Sequence, residues 1–339
     1  MVEKKNLSRA MSTLARRACV VNARRLDFDD AIDFGRVIDA LGGDADSLTT
    51  HDDASPDVRT IAERAVGHEV IVTKEVTVDV AALPACVRLI CEAGTGYNNI
   101  DVQAARARGI TVTNVPSYST DAVAQLVITF ALCASVSLGE QLAALRVGDR
   151  RAFKADFSGL PNMFELRGKT IGLVGGTGAI GKRTAELARA LGMNVKVWSR
   201  SATTVEGLWE AVTFEDLMAT SDFVSVHCPL TAETRGLIDE RAISMMKRTS
   251  WIINTARGAC INESHLIEAL KAKRIAGACL DVQETEPPAD DSPLYTLDNV
   301  YLTPHIGWKR LESRQRLVDT VAENIRAFLS GKPINVVGS

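Results

Sequence analysis

One stretch constrains this chain above all others. Thr170–Val174 (TIGLV) runs into Gly176-Thr-Gly178-Ala179-Ile180-Gly181, and a run of helical character follows over Lys182–Leu191. A lone GxGxxG triplet says little, but a strand that enters it and a helix that leaves it form the arrangement that cradles a pyrophosphate. The first glycine permits a tight turn. The second lets the backbone approach the phosphates, and the third lets helix and strand pack closely. The helix N-terminus adds unpaired N–H groups and the positive end of its dipole. The segment therefore predicts a dinucleotide-binding βαβ unit within a parallel sheet.

The rest of the chain repeats that rhythm. Strand-like runs fall at Ala18–Val21, Glu69–Thr73, Arg88–Glu92 and Ile110–Val115. A second series follows at Lys169–Val174, Asn194–Ser199, Phe223–His227, Trp251–Asn254, Ile275–Asp281 and Val300–Thr303. Helical patterns lie between them, among them Asp29–Leu41, Val102–Arg108 and Leu311–Leu329. Strands separated by helices imply parallel sheets in an α/β architecture. A length of 339 residues fits two domains. The expected division gives 1–113 plus 308–339 to one domain and 114–307 to an inserted dinucleotide-binding domain.

Composition removes several function classes. Lys plus Arg number 39 against 42 acidic residues, so no bulk attraction to nucleic acid or acidic membranes is expected. The seven cysteines are scattered without a CxxC pair, which argues against a disulfide scaffold or zinc module and fits a reducing, cytoplasmic setting. Histidines and carboxylates are not clustered at metal-ligand spacing, so no metal is expected. The apolar run Ala122–Leu138 contains Gln, Thr and Ser and reads as a buried helix rather than a membrane span. The basic first residues, MVEKKNLSRAMSTLARR, lack the apolar core of a secretory signal and read as a frayed extension, with a weak resemblance to an organelle presequence as the alternative.

About 20 residues past the glycine motif an Asp or Glu would bind the ribose hydroxyls of NAD and repel a 2′-phosphate. Ser199-Arg200-Ser201 stands there instead. Two hydroxyls and a guanidinium suit a phosphate, so NADP is expected in preference to NAD.

Three further segments follow predicted strands: Asn254-Thr255-Ala-Arg257-Gly258, Leu280-Asp281 through Glu286-Pro287, and Thr303-Pro-His305-Ile-Gly-Trp308. They place a cation, a carboxylate and an imidazole beyond strand ends, where α/β sheets bind ligands. That set suits a 2-oxo acid. A guanidinium binds the carboxylate and polarises the carbonyl. An imidazole protonates the alkoxide that forms when hydride arrives. A carboxylate on the imidazole fixes its tautomer and favours its protonated form.

From about Cys19 to Val337 the chain resembles the D-isomer-specific 2-hydroxyacid dehydrogenase family, and within it the glycerate dehydrogenase and hydroxypyruvate–glyoxylate reductase branch. The carrying segments are AGTGYNNID (93–101), VTNVPSYSTDAVAQ (112–125), ELRGKTIGLVGGTGAIGK (165–182), SVHCPLTAETRGLI (225–238), INTARG (253–258), LDVQETEPP (280–288), LTPHIGW (302–308) and ENIRAFLSGKPINVV (323–337). The resemblance implies a flavodoxin-like substrate domain with an inserted Rossmann domain. It makes Arg257 the substrate guanidinium, Glu286 rather than Glu284 the orienting acid, and His305 the proton donor. It implies cofactor contacts at Gly176, Gly178, Ala179, Ile180, Gly181, Ser199, Arg200, Ser201, Cys228, Pro229, Thr255 and Asp281, with Asp281 meeting the nicotinamide carboxamide. The backbone amides of Thr95 and Gly96 join Arg257 and His305 as substrate ligands. A homodimer is implied, with Thr120–Arg146 as its interface helix.

The expected reaction is reduction of hydroxypyruvate or glyoxylate to D-glycerate or glycolate. Its rivals are reduction of a bulkier 2-oxo acid and dinucleotide sensing on the same fold. The chain departs from the family at Thr73-Lys74-Glu75, where many members carry Thr-Asn-Lys. That leaves Lys74 either facing the pocket or facing solvent. His227 reads as packed or cofactor-adjacent, and His51, His68 and His265 as surface residues.

Overall fold

The computed structural model describes residues 16–156 and 163–338. Residues 1–15 of the basic N-terminal stretch, and 157–162 of the polar stretch before the second strand series, lie outside the described residues. The chain divides into two compact units. One takes the described residues up to Tyr118 and from Lys309 onward, and the other is Ser119–Trp308. These divisions stand beside the expected ones at 113/114 and 307/308.

The first unit holds β1 (Ala18–Val20), β2 (Leu48–Thr50), β3 (Val70–Thr73), β4 (Leu89–Glu92) and β5 (Thr111–Thr113). They form one parallel sheet in the order β2-β1-β3-β4-β5. That is the flavodoxin-like order, with its reversal between β1 and β3. Cys19, Ile71, Ile90 and Val112 supply one buried layer on this sheet. The helix Leu311–Leu329 returns to this unit and packs on the helix Gly35–Leu41. Its Arg314 is buried and binds Asp29 through two nitrogens, at 2.7 and 2.6 Å.

The second unit holds β6 (Thr170–Val174), β7 (Asn194–Trp198), β8 (Glu210–Ala211), β9 (Phe223–Val226), β10 (Trp251–Asn254), β11 (Gly277–Leu280) and β12 (Val300–Leu302). The order β12-β11-β10-β9-β6-β7-β8 is parallel throughout. Chain direction across the sheet reverses between β6 and β9, the Rossmann switch point. The strands read as apolar runs because both faces are covered. Val174, Val224, Val226, Ile252 and Leu280 enter one core layer, while Ile171, Leu173, Phe223, Ile253 and Cys279 enter the other.

Several expectations are corrected. The helix expected from Asp29 begins only at Gly35. Before it, the Asp27 carboxylate accepts from the amides of Ala31 and Ile32, and the Asp33 carboxylate from that of Gly35. These short side chains compete with helical hydrogen bonding and hold a loop. The helix after the glycine motif begins at Ala179, not Lys182, with Gly178 as its N-cap. The expected continuous helix 120–146 is two helices, Thr120–Ser135 and Leu138–Arg146, bent by 64° at a left-handed Ser137 (φ 49°). Among the described residues no single helix is long and apolar enough to cross a membrane. β2 (Leu-Thr-Thr) and β8 (Glu-Ala) carry no apolar run that marks a strand. His68, expected at the surface, is buried with Nε2 3.1 Å from the Thr49 hydroxyl.

Candidate active site

The glycine turn follows β6. A β-carbon at Gly181 would lie 2.3 Å from the Gly176 carbonyl oxygen, so only glycine lets the helix Ala179–Ala190 sit this close to the turn. At Gly178 a β-carbon would meet nothing within 4 Å, which leaves the helix N-terminus open to a phosphate group. Sequence reading missed the residue just ahead of the motif. Gly175 has φ +78°, and a β-carbon there would lie 2.7 Å from the Cys228 backbone. It joins the turn after β6 to the Cys228-Pro229 segment after β9, across the switch point. Ser199 follows β7 directly, its hydroxyl 3.5 Å from that of Thr177 in the glycine loop. Arg200 and Ser201 are exposed beside it. Thr255 follows β10 with its hydroxyl buried and without a hydrogen-bond partner. An open helix N-terminus, a glycine cradle and an orphaned hydroxyl fit a bound dinucleotide.

The loop after β12 carries His305 in a left-handed backbone conformation (φ 51°), uncommon for a residue with a side chain. Asp281, at the end of β11, holds the loop there. Its carboxylate accepts from the Thr303 hydroxyl at 2.6 Å and from the amides of Ile306 at 2.7 Å and Gly307 at 2.9 Å. Its carbonyl accepts from the His305 amide at 2.9 Å. Asp281 is 1 % exposed and both of its carboxylate oxygens are engaged within the loop. The Asp281 carboxylate thus also orients the imidazole loop, a task that its position at a strand end did not reveal.

Glu286 supplies the imidazole's partner. Its Oε2 lies 2.8 Å from His305 Nδ1, and its Oε1 accepts from the Gln283 amide at 3.2 Å. The neighbouring Glu284 is tied elsewhere through its amide, which donates to Glu263. Arg257 precedes the short turn Gly258–Cys260. Asn254 clamps that turn, accepting from the Ala256 amide and donating to the Arg257 carbonyl. A β-carbon at Gly258 would lie 1.9 Å from the Gln283 carbonyl, so this glycine seats the arginine turn on the segment that leads to Glu286. The second unit thereby brings together the turns carrying Arg257, Glu286 and His305. This arrangement can hold a proton on an imidazole and present a guanidinium to an anion.

His227 follows β9, half-buried, with Nε2 2.9 Å from the Ser225 hydroxyl. Burial holds its imidazole down at about 4, so it is neutral near pH 7. Cys228 and Cys260 are buried free thiols with their sulfurs 4.0 Å apart. Trp308 is buried at 3 % exposure.

In the first unit, the Gly94-Thr95-Gly96 turn follows β4. The Gly94 amide donates to the Glu92 carbonyl, and the Thr95 hydroxyl donates to the Val115 carbonyl. Lys74, left open between pocket and solvent, is buried at 1 % exposure.

The profile of the D-isomer specific 2-hydroxyacid dehydrogenase NAD binding domain matches residues 136–307, half of the chain. The chain belongs to this family. A glyoxylate reductase of Thermococcus litoralis is 41% identical over 257 residues, covering 74% of this chain and 76% of that protein. A hydroxypyruvate reductase of Blautia hydrogenotrophica is 37% identical over 255 residues, covering 74% and 78%. Among solved structures, an acyclic imino acid reductase (Bsp5) in complex with NADPH and D-Arg superposes with a TM-score of 0.82. It is 28% identical and covers 95% of this chain and 99% of that one. As a 2-hydroxyacid dehydrogenase, the protein is an oxidoreductase acting on CH–OH groups with NAD(P).

Proposed function

We propose that this dehydrogenase reduces a small 2-oxo acid, hydroxypyruvate or glyoxylate, to D-glycerate or glycolate, with NADPH preferred over NADH. The pairing of His305 with Glu286 carries the chemical reading. Hydroxypyruvate and glyoxylate reductases among the relatives support the substrate class. A bound nicotinamide supplies the hydride. The protein's own groups do the rest. Arg257 binds the substrate carboxylate and draws electron density from the carbonyl. His305, its Nδ1 tied to Glu286, gives a proton from Nε2 to the alkoxide oxygen, and in the reverse direction takes it back. Glu286 fixes the ring's orientation and tautomer. Asp281 holds the loop that aims the ring.

The cofactor preference rests on Ser199, Arg200 and Ser201, which place no carboxylate where a ribose 2′-phosphate would lie. An NADPH complex of a protein of the same fold is consistent with it. Gly176, Gly178, Ala179, Ile180 and Gly181 cradle the pyrophosphate, and Cys228, Pro229 and Thr255 line the nicotinamide side. The oligomer we infer is a homodimer through the second unit. Leu132, Val136, Leu138, Leu142, Val147 and Phe153 stand exposed along its two bent helices and the turn that follows, a larger apolar display than scattered surface residues give. A cytoplasmic setting accords with the seven free thiols.

Steady-state kinetics on glyoxylate, hydroxypyruvate and phenylpyruvate, each with NADPH and NADH, test the proposal. The highest kcat/KM is expected for one of the two small acids with NADPH. A tenfold preference for phenylpyruvate overturns the substrate class. Tight dinucleotide binding without turnover of any of the three overturns the enzymatic reading in favour of a sensor.

A further inference from the structure

The first unit contains a buried charge that neither the family motifs nor the proton-transfer chemistry accounts for. Lys74 follows β3 at the sheet's switch point, the position where an open α/β sheet receives ligands. The Asn22 side chain, just past β1, fixes its backbone by accepting from the Lys74 amide at 3.1 Å and donating to the Lys74 carbonyl at 2.8 Å. Its ammonium lies 2.6 Å from Glu75 Oε1 and 3.4 Å from the Tyr118 hydroxyl. Burying an ammonium is costly, and a methionine would fill the same space without that cost. The ammonium points under the Gly94-Thr95-Gly96 turn. A β-carbon at Gly94 would lie 3.3 Å from Lys74 Nζ and 3.4 Å from Glu92 Oε1.

The amides of Thr95 and Gly96 donate to no group among the described residues. Two open N–H donors on a turn whose Gly94 packs against a buried ammonium make a seat for an anion. We infer that Lys74 is a positioning residue that charges this turn from beneath, so that its amides select a substrate carboxylate. The inference rests on the proposed function and on the resemblance, which implies that these amides join Arg257 on the 2-oxo acid carboxylate, and extends it to the cause of their selectivity.

The surrounding groups keep the charge in place. Burial alone would lower the Lys74 ammonium, but Tyr118, Glu75 and Glu92 outweigh it and hold it above its ordinary value. Burial pushes the Glu92 carboxyl up, against the pull of Lys74. Glu75 is shared between Lys74 and Arg25, which binds its other oxygen at 3.0 Å. Glu75 is thereby divided between two cations, and Glu92 accepts from the Thr73 hydroxyl, the Asn99 side chain and the Glu75 amide, which leaves the Lys74 ammonium against the Gly94 turn.

A merely structural lysine and a charging lysine respond differently to a pair of opposite substitutions. Lys74→Met removes the cation, whereas Glu75→Gln removes the anion that offsets it and keeps its shape. Lys74→Met is expected to raise the KM for glyoxylate roughly tenfold, and Glu75→Gln to lower it roughly threefold. In both, kcat should hold within about twofold, because the charge acts on binding and not on the proton transfer. Oxamate binding to the NADPH-loaded enzyme, followed by calorimetry, should move in the same two directions. Both affinities falling together, or neither moving, overturns the role of Lys74 while wild-type turnover leaves the proposed function intact. If the wild type turns over no 2-oxo acid, the proposed function fails and the oxamate measurement still decides Lys74. Absence of both oxamate binding and 2-oxo acid turnover in the wild type overturns both.

Discussion

His305 Nδ1 and Glu286 Oε2 stand 2.8 Å apart across 19 residues of sequence, on loops that follow different strands of one sheet. With Nδ1 against the carboxylate, the proposed mechanism gives Nε2 the proton exchange with substrate. Glu286→Gln keeps the shape and removes the charge. The expected outcome is a kcat lower by roughly a hundredfold with an unchanged dissociation constant for NADPH. Stopped-flow reduction and fluorescence titration measure the two. A kcat within threefold of wild type would remove Glu286 from the mechanism.

The ribose site yields a prediction about cofactor choice. Ser199→Asp combined with Arg200→Ala installs a hydroxyl acceptor and deletes the exposed guanidinium beside it. The ratio of kcat/KM for NADPH over NADH should fall by about tenfold or more. An unmoved ratio means that these residues do not meet the ribose.

Close packing in the glycine loop can be tested by one methyl group. In Gly181→Ala the new carbon would sit 2.3 Å from the Gly176 oxygen and 2.5 Å from the Gly176 α-carbon. Both are backbone atoms, so relief requires moving the phosphate loop itself. NADPH affinity should drop at least about tenfold, with a stability loss of roughly 1–3 kcal/mol on thermal denaturation. Retained affinity would show that the loop adapts without cost to dinucleotide binding.

Acid sensitivity should have a traceable component at His227. Its folded imidazole is held at about 4, below its ordinary value of 6.5. Between these values the unfolded chain binds the proton and the folded chain does not, so stability falls as pH drops from 6.5 toward 4 and is complete above 6.5. His227→Gln lacks this component. Its unfolding free energy, measured by urea titration against wild type, should gain relative to wild type through that window and run parallel above it. A constant difference across the window would mean that His227 does not drive the acid loss.

The legible part of the fold was that recorded in local pattern. The helix Leu311–Leu329 and the strand Trp251–Asn254 match their sequence patterns to the residue, because apolar periodicity and flanking Gly and Pro signals are written locally. The helix expected at Asp29 failed because Asp27 and Asp33 capture backbone amides, a choice the hydrophobic pattern does not encode. The break at Ser137 failed for a similar reason, since the apolar pattern continues through a residue whose backbone turns left-handed.

The candidate site divides along the same line. Sequence by itself determined its chemical inventory and its family: a glycine turn between strand and helix, and an arginine, a glutamate and a histidine after successive strands. Each depends on residue type and on order along one parallel sheet. Tertiary structure alone decided which groups meet. It set Glu286 against His305, turned the Asp281 carboxylate into the anchor of the histidine loop, and drew Lys74 beneath the Gly94 turn. Hydrogen bonds and charge interactions act over a few ångströms of space, and sequence separation carries no record of that distance until the sheet has formed.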